Sequence, residues 1–227
     1  MMGDAADRAT RLAYKKLTRK LGKHPSKLDV VAFTQSLGDW TSVDDCERLV
    51  ANFQRDHGSY ARGSGIAKPW RECFHAVRFA RAVNAEDIKI GADPPDFEFR
   101  VAGHCLQVEL VVARDVDDMT SKQFLQAANF IGPKKTDAEL VGENVLSERW
   151  ESLPNRIAKQ VEAKSGKGYP NSFVLAVAAS SWWWADEQEW MESAIRKFCR
   201  PYFQSFAGIW VLAGSHFISL MDANHAG

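Results

Sequence analysis

The stretch Phe97-Glu98-Phe99-Arg100-Val101-Ala102-Gly103-His104-Cys105-Leu106-Gln107-Val108-Glu109-Leu110 constrains the fold of this chain more than any other. Phe97, Phe99 and Val101 alternate with Glu98 and Arg100, and Leu106, Val108 and Leu110 alternate with Gln107 and Glu109. A period of two is the signature of strands with one buried face. Ala102-Gly103 is a natural two-residue turn, with Gly supplying positive φ. Such a turn fixes the register: 101 faces 104, 99 faces 106 and 97 faces 108. One step further, Asp96 lies opposite Glu109, with Cβ atoms about 4.5–5.5 Å apart. Like charges placed there repel unless something positive sits between them. A divalent cation with oxygen ligands is the simplest candidate. Arg100 or a nearby Lys is the alternative.

The other elements follow from periodicity and punctuation. Ala6–Leu21 has helical character. Ser26 or Pro25 opens a second helix over Lys27–Leu37, and Thr41 or Ser42 caps a third over Val43–Phe53. The stretch from His57 to Gly65 is rich in Gly and Ser and reads as a linker. An amphipathic helix spans Trp70–Asn84, and a short connection with Ile88 and Ile90 leads to the hairpin. Residues 114–148 read as a polar insertion, followed by a helix over Leu153–Lys164. Ser172–Ala179 is a continuous apolar run of strand length, typical of a strand buried on both faces. A helix over Glu187–Phe203, a strand over Gly208–Leu212 and a last strand over His216–Leu220 complete the chain. From residue 70 the order is α-β-β-α-β-α-β with one more strand. This is an α/β fold with a mixed sheet and flanking helices. A small helical domain over residues 1–62 precedes an α/β domain over residues 63–227.

Composition narrows the function classes. Hydrophobic residues make up 45% of the 227, enough for a real core. Lys+Arg and Asp+Glu both total 29, so net charge argues neither for nor against nucleic acid. The charge is uneven, however. Residues 8–27 carry Arg8, Arg11, Lys15, Lys16, Arg19, Lys20, Lys23 and Lys27 and no acid. Such a helical module fits either DNA binding or a solvated basic face. No apolar run reaches the roughly 18–20 residues of a membrane span, and no signal peptide is visible, so a cytoplasmic protein with no membrane contact is expected. Cys46, Cys73, Cys105 and Cys199 are scattered and read as reduced thiols.

A helix carrying an acid, a Pro-Asp hairpin with a second acid on its returning strand, then a helix and a buried strand: this order over residues 70–212 resembles the PD-(D/E)XK, or restriction-endonuclease-like, nuclease superfamily. Pro95-Asp96 matches the first motif and Glu109 the acid of the second. The resemblance implies that Asp96 and Glu109 hold Mg²⁺ or Mn²⁺, and that Glu72 takes the place of the extra acid on the preceding helix. It also implies a Gln or Lys contributed by the next helix, where Gln160 and Lys164 are available. Lys164 shares a helical stripe with Ile157 and Val161 and could therefore point toward the sheet. The chain departs from the pattern at Val111, where the family carries its lysine.

The activity so implied is metal-dependent hydrolysis of DNA phosphodiester bonds, with DNA as partner and a homodimer left open. Asp96, Glu109, Glu72, Lys164 and Gln160 are the candidate catalytic residues. Taken alone, Glu72 reads equally as an exposed helix acid and Lys164 as a lysine favoured at a helix C-terminus. Trp182-Trp183-Trp184 could stack on bases, or pack at a strand end. Two rival readings remain open: a catalytically inactive nuclease-like protein that binds nucleic acid or regulates, and an unrelated α/β domain whose hairpin acids are incidental.

Overall fold

The hairpin takes the register its alternation dictates. In the computed structural model, β3 (Phe97–Val101) and β4 (His104–Ala113) are antiparallel, with Phe97 opposite Val108, Phe99 opposite Leu106 and Val101 opposite His104. Ala102 (φ 49°) and Gly103 (φ 80°) form a turn with both central residues left-handed, which matches the twist of the flanking strands. The described residues are 23–37, 39–58, 60–61, 64–91, 94–113, 143–179, 188–214 and 216–221. The expected helix over 6–21, residues 114–142 of the insertion, and the Trp182–Trp184 run lie outside them.

The fold is mixed α/β. A seven-stranded sheet runs in chain order: β1 (Thr41–Ser42), β2 (Asp87–Ile90), β3, β4, β5 (Val174–Ala179), β6 (Gly208–Ala213) and β7 (His216–Ser219). Pairing is antiparallel from β1 to β4, parallel from β4 through β5 to β6, and antiparallel again at β7. Five α-helices accompany it among the described residues: α1 (Lys27–Gln35), α2 (Val43–His57), α3 (Lys68–Ala82), α4 (Glu143–Ser165) and α5 (Gln188–Cys199).

Four differences from the sequence reading have local causes. The connection holding Ile88 and Ile90 is a strand, β2, because Asp87 and Lys89 alternate with the two isoleucines and pair across to Arg100 and Glu98. Thr41 and Ser42 pair with β2 as a short edge strand directly before α2. The helix expected from Leu153 begins at Glu143 and carries Pro154 inside it. Pro201 marks the change from α5 to a 3₁₀ segment, Arg200–Ser205, so that helix is shorter than the sequence suggested.

The chain divides into two compact units. Among the described residues, the smaller comprises 23–37 and Asp44–Phe74; the larger comprises Asp39–Val43 and the residues from His75 onward. The division falls within α3, whereas composition places a linker at His57–Gly65, of which Ser59, Arg62 and Gly63 lie outside the described residues. In the smaller unit, Ser26 caps α1 in a reciprocal box with Asp29. Its core centres on Trp70, 1% exposed, which stacks with Phe53 and Phe74 and donates its indole N–H to the Val50 carbonyl at 2.9 Å.

In the larger unit, α4 and α5 cover one face of the sheet. Leu153, Ile157 and Val161 of α4 and Met191, Ile195 and Cys199 of α5 pack with Leu175, Val177, Ile209 and Val211. All six residues of β5 are buried, as its continuous apolar run predicts. Side chains alternate along β4, so Glu109 shares its face with Val111 and Ala113, which pack against this apolar cluster. A carboxylate is thereby carried to the rim of a hydrophobic core.

Candidate active site

Asp96 is the residue before β3. The chain reaches it through a cis Pro94-Pro95 bond and ties it down from two sides. Its carbonyl accepts from the Gly91 N–H at 2.9 Å, and its carboxylate Oδ2 accepts from the Leu110 N–H at 2.8 Å. That second bond fixes the side chain beside the residue that follows Glu109. A Cβ on Gly91 would run into the carbonyl of Pro95, so only glycine permits this close approach.

Glu109 is 3% exposed. Its Oε1 receives two donors, the Lys164 ammonium and the Tyr169 hydroxyl, the latter at 2.8 Å. Its Oε2 is buried and has no hydrogen-bond partner among the described residues. A buried carboxylate ordinarily satisfies its oxygens, because an unpaired one costs stability. Glu109 is therefore held by one oxygen and left unpaired at the other.

Lys164 stands where the stripe with Ile157 and Val161 points: those two are fully buried, and its own side chain is 16% exposed. Burial pulls its pKa down, but the hydrogen bond and charge of Glu109, with Tyr169 and Asp96 behind them, more than offset that and leave it above the ordinary lysine value. Lys164 is thus a fixed cation at neutral pH, attracted by both carboxylates. Tyr169 follows Gly168, whose φ of 67° turns the chain back after α4. Its ring stacks on Phe173 with centroids 6.0 Å apart, and the Lys164 ammonium lies 5.7 Å from the ring centre. Burial, then the hydrogen bond to Glu109, raise the Tyr169 pKa, so it stays a neutral phenol that donates.

The sequence candidates fall into groups. Asp96, Glu109 and Lys164 come together in the larger unit. Gln160 lies one turn before Lys164 on α4, half-buried. Glu72 belongs to the smaller unit, where it pairs with Lys68 at 3.1 Å across one helical turn. Val111 is partly buried and packs against the apolar cluster. His104 is exposed at the hairpin end.

Sequence reasoning missed Tyr169 and Gly91. Tyr169 lies in a loop with no periodicity to orient it. Gly91 carried a weak signal, a glycine shortly before a Pro-Pro-Asp turn.

The arrangement has the donor chemistry for a hard divalent ion. Glu109 Oε2 is a buried carboxylate oxygen without a hydrogen-bond partner among the described residues, and Asp96 adds a second carboxylate. Magnesium keeps most of its waters and commonly takes one or two protein carboxylates. Among the described residues no group of three or more His, Cys, Asp and Glu side chains is placed to hold a metal. No protein-family model matches the chain, and no curated protein or solved structure matches it significantly.

Proposed function

We propose that this protein is a divergent PD-(D/E)XK-type nuclease that hydrolyses DNA phosphodiester bonds with Mg²⁺ or Mn²⁺. The observation that carries this reading is Glu109: a buried carboxylate clamped at Oε1 by Lys164 and Tyr169 and left without a donor at Oε2. Burying a charge is costly, and a fold retains such a group readily where it serves chemistry. The element order supports the same reading. A helix, a hairpin with an acid at the start of one strand and another on the returning strand, a helix and a buried parallel strand are all present.

Asp96 and Glu109 would hold the ion, which when bound supplies a polarised phosphate and a water of lowered pKa. Lys164 keeps its proton at neutral pH, so its part is electrostatic: it lies beside both acids and would stabilise charge building on the phosphate oxygens. It takes the place of the lysine that Val111 displaces. Gln160 would orient the attacking water. The basic residues within 8–27 would grip the DNA backbone. Four free cysteines fit a reducing, cytoplasmic setting. None of the helices among the described residues is long and apolar enough to cross a membrane.

One observation favours the rival, a catalytically inactive nucleic-acid-binding or regulatory module. The Lys164–Glu109 pair already neutralises the buried carboxylate without an ion. Incubation of the protein with single- and double-stranded DNA in Mg²⁺ or Mn²⁺ decides between them. Cleavage lost in Asp96→Asn and Glu109→Gln supports the nuclease; wild-type protein that cuts neither substrate sinks it and leaves the binding module.

A further inference from the structure

We infer that Tyr169 is a positioning residue for the candidate site. Its hydroxyl pins Oε1 of Glu109 so that the carboxylate presents Oε2, and only Oε2, to a divalent cation. This rests on the metal-dependent reading above and adds to it a residue outside both acid motifs. Three observations converge. Tyr169 donates to Oε1 at 2.8 Å, the same oxygen that takes the Lys164 ammonium. Oε2 of the same carboxylate has no hydrogen-bond partner among the described residues and is buried. The Tyr169 ring is itself fixed, against Phe173 on one side and with Lys164 near its face.

The division of labour between the two oxygens has a physical reason. A glutamate has three side-chain torsions, and a carboxylate free to rotate can offer either oxygen or both. Two donors on one oxygen select a single orientation, and the energy of choosing it is spent in folding and not in ion binding. Lys164 alone would also fix Oε1, but its positive charge opposes an incoming cation. Tyr169 supplies the same anchor without charge. The two groups therefore act in the same direction on geometry and in opposite directions on cation affinity. Hydrogen-bond partners of metal-ligating side chains typically affect metal affinity by about 10- to 100-fold when removed.

The test is Mn²⁺ and Mg²⁺ binding to the full-length protein by isothermal calorimetry, without DNA. Tyr169→Phe keeps the ring and its stacking while removing the hydroxyl. It is expected to weaken binding by about 10-fold or more. Lys164→Met removes the competing charge while leaving the tyrosine anchor, and is expected to tighten it. Thermal melting of each ion-free variant is recorded alongside. A Tyr169→Phe protein that melts lower but binds the ions as tightly as wild type overturns the inference and leaves Tyr169 a packing residue, with the metal reading intact. Wild-type protein that binds neither ion at millimolar concentration overturns the metal reading, and this inference with it. Weakened binding in Tyr169→Phe together with tightened binding in Lys164→Met supports both.

Discussion

Glu109 decides the sign of the first prediction. From sequence, Asp96 and Glu109 read as a repelling pair, relieved by changing either. The structure puts the Lys164 ammonium against Glu109, with Asp96 close enough to raise its pKa. Glu109→Gln therefore leaves a largely buried ammonium without its counter-ion, and should destabilise the protein by about 1–3 kcal/mol. Asp96→Asn keeps an oxygen to accept the Leu110 N–H and should cost less. Urea denaturation without added ions measures both; greater stability for Glu109→Gln would refute the placement of Lys164. The cysteines give an independent residue-scale check. Cys46, Cys73 and Cys199 are buried and Cys105 is exposed. Burial pushes the Cys199 thiol up to about 12 and raises Cys73 as well, with Cys46 adding to the latter. Native protein at pH 8 should release one thiol equivalent to Ellman's reagent, from Cys105, and reveal the other three only in denaturant. Unfolded thiols ionise near about 8.5. A group whose pKa is raised in the folded state stabilises it below the unfolded value, and that contribution is lost as pH rises. Stability should therefore decline from about pH 8.5 upward, and urea midpoints across pH 7–11 test this slope.

At the scale of elements, the turn before β3 is the most demanding piece of the site. Gly91→Ala would drive a methyl group into the Pro95 carbonyl and displace the Pro95-Asp96 corner. A loss of about 1–3 kcal/mol is expected, as for other overpacked positions, and the proposed DNA cleavage should fall with it. A stable, fully active Gly91→Ala protein would show that the corner tolerates movement. The hairpin register was legible because strict alternation and an Ala-Gly turn allow one pairing that keeps Phe97, Phe99, Leu106 and Val108 on a common face. The direction of Lys164 was legible for a similar reason, since Ile157 and Val161 define which side of α4 is buried. The strand β2 was not: two isoleucines in four residues fall below the length at which alternation identifies a strand, and only pairing with β3 defines it. Tyr169 escaped because its contact with Glu109 depends on how α4 ends, not on any local repeat. The start of α4 was not legible either: the helix expected from Leu153 begins at Glu143 and runs through Pro154.

For the whole molecule, the proposed DNA contact resides in charge. The logarithm of the binding constant should fall linearly with the logarithm of salt, with a slope of about −0.9 per phosphate neutralised. Reversing Arg8, Arg11, Lys15 and Lys16 to Glu should flatten that slope; an unchanged slope would remove these residues from the interface. Charge reversal is preferable to deleting residues 1–62, because that cut removes Val50 and Phe53, on which the buried Trp70 depends. The end of α4 has a further consequence. The acids of the site are anchored in the hairpin, whereas Lys164 arrives on the last turn of a helix and Tyr169 on the loop beyond it. Helix ends open at lower free energy than the strands of a sheet. The site therefore exists only while that last turn stays docked, and competence should vanish before the molecule melts. On slow heating, activity is expected to fade several degrees below the unfolding midpoint, while amide exchange quickens first around residues 161–169 and β4 remains protected.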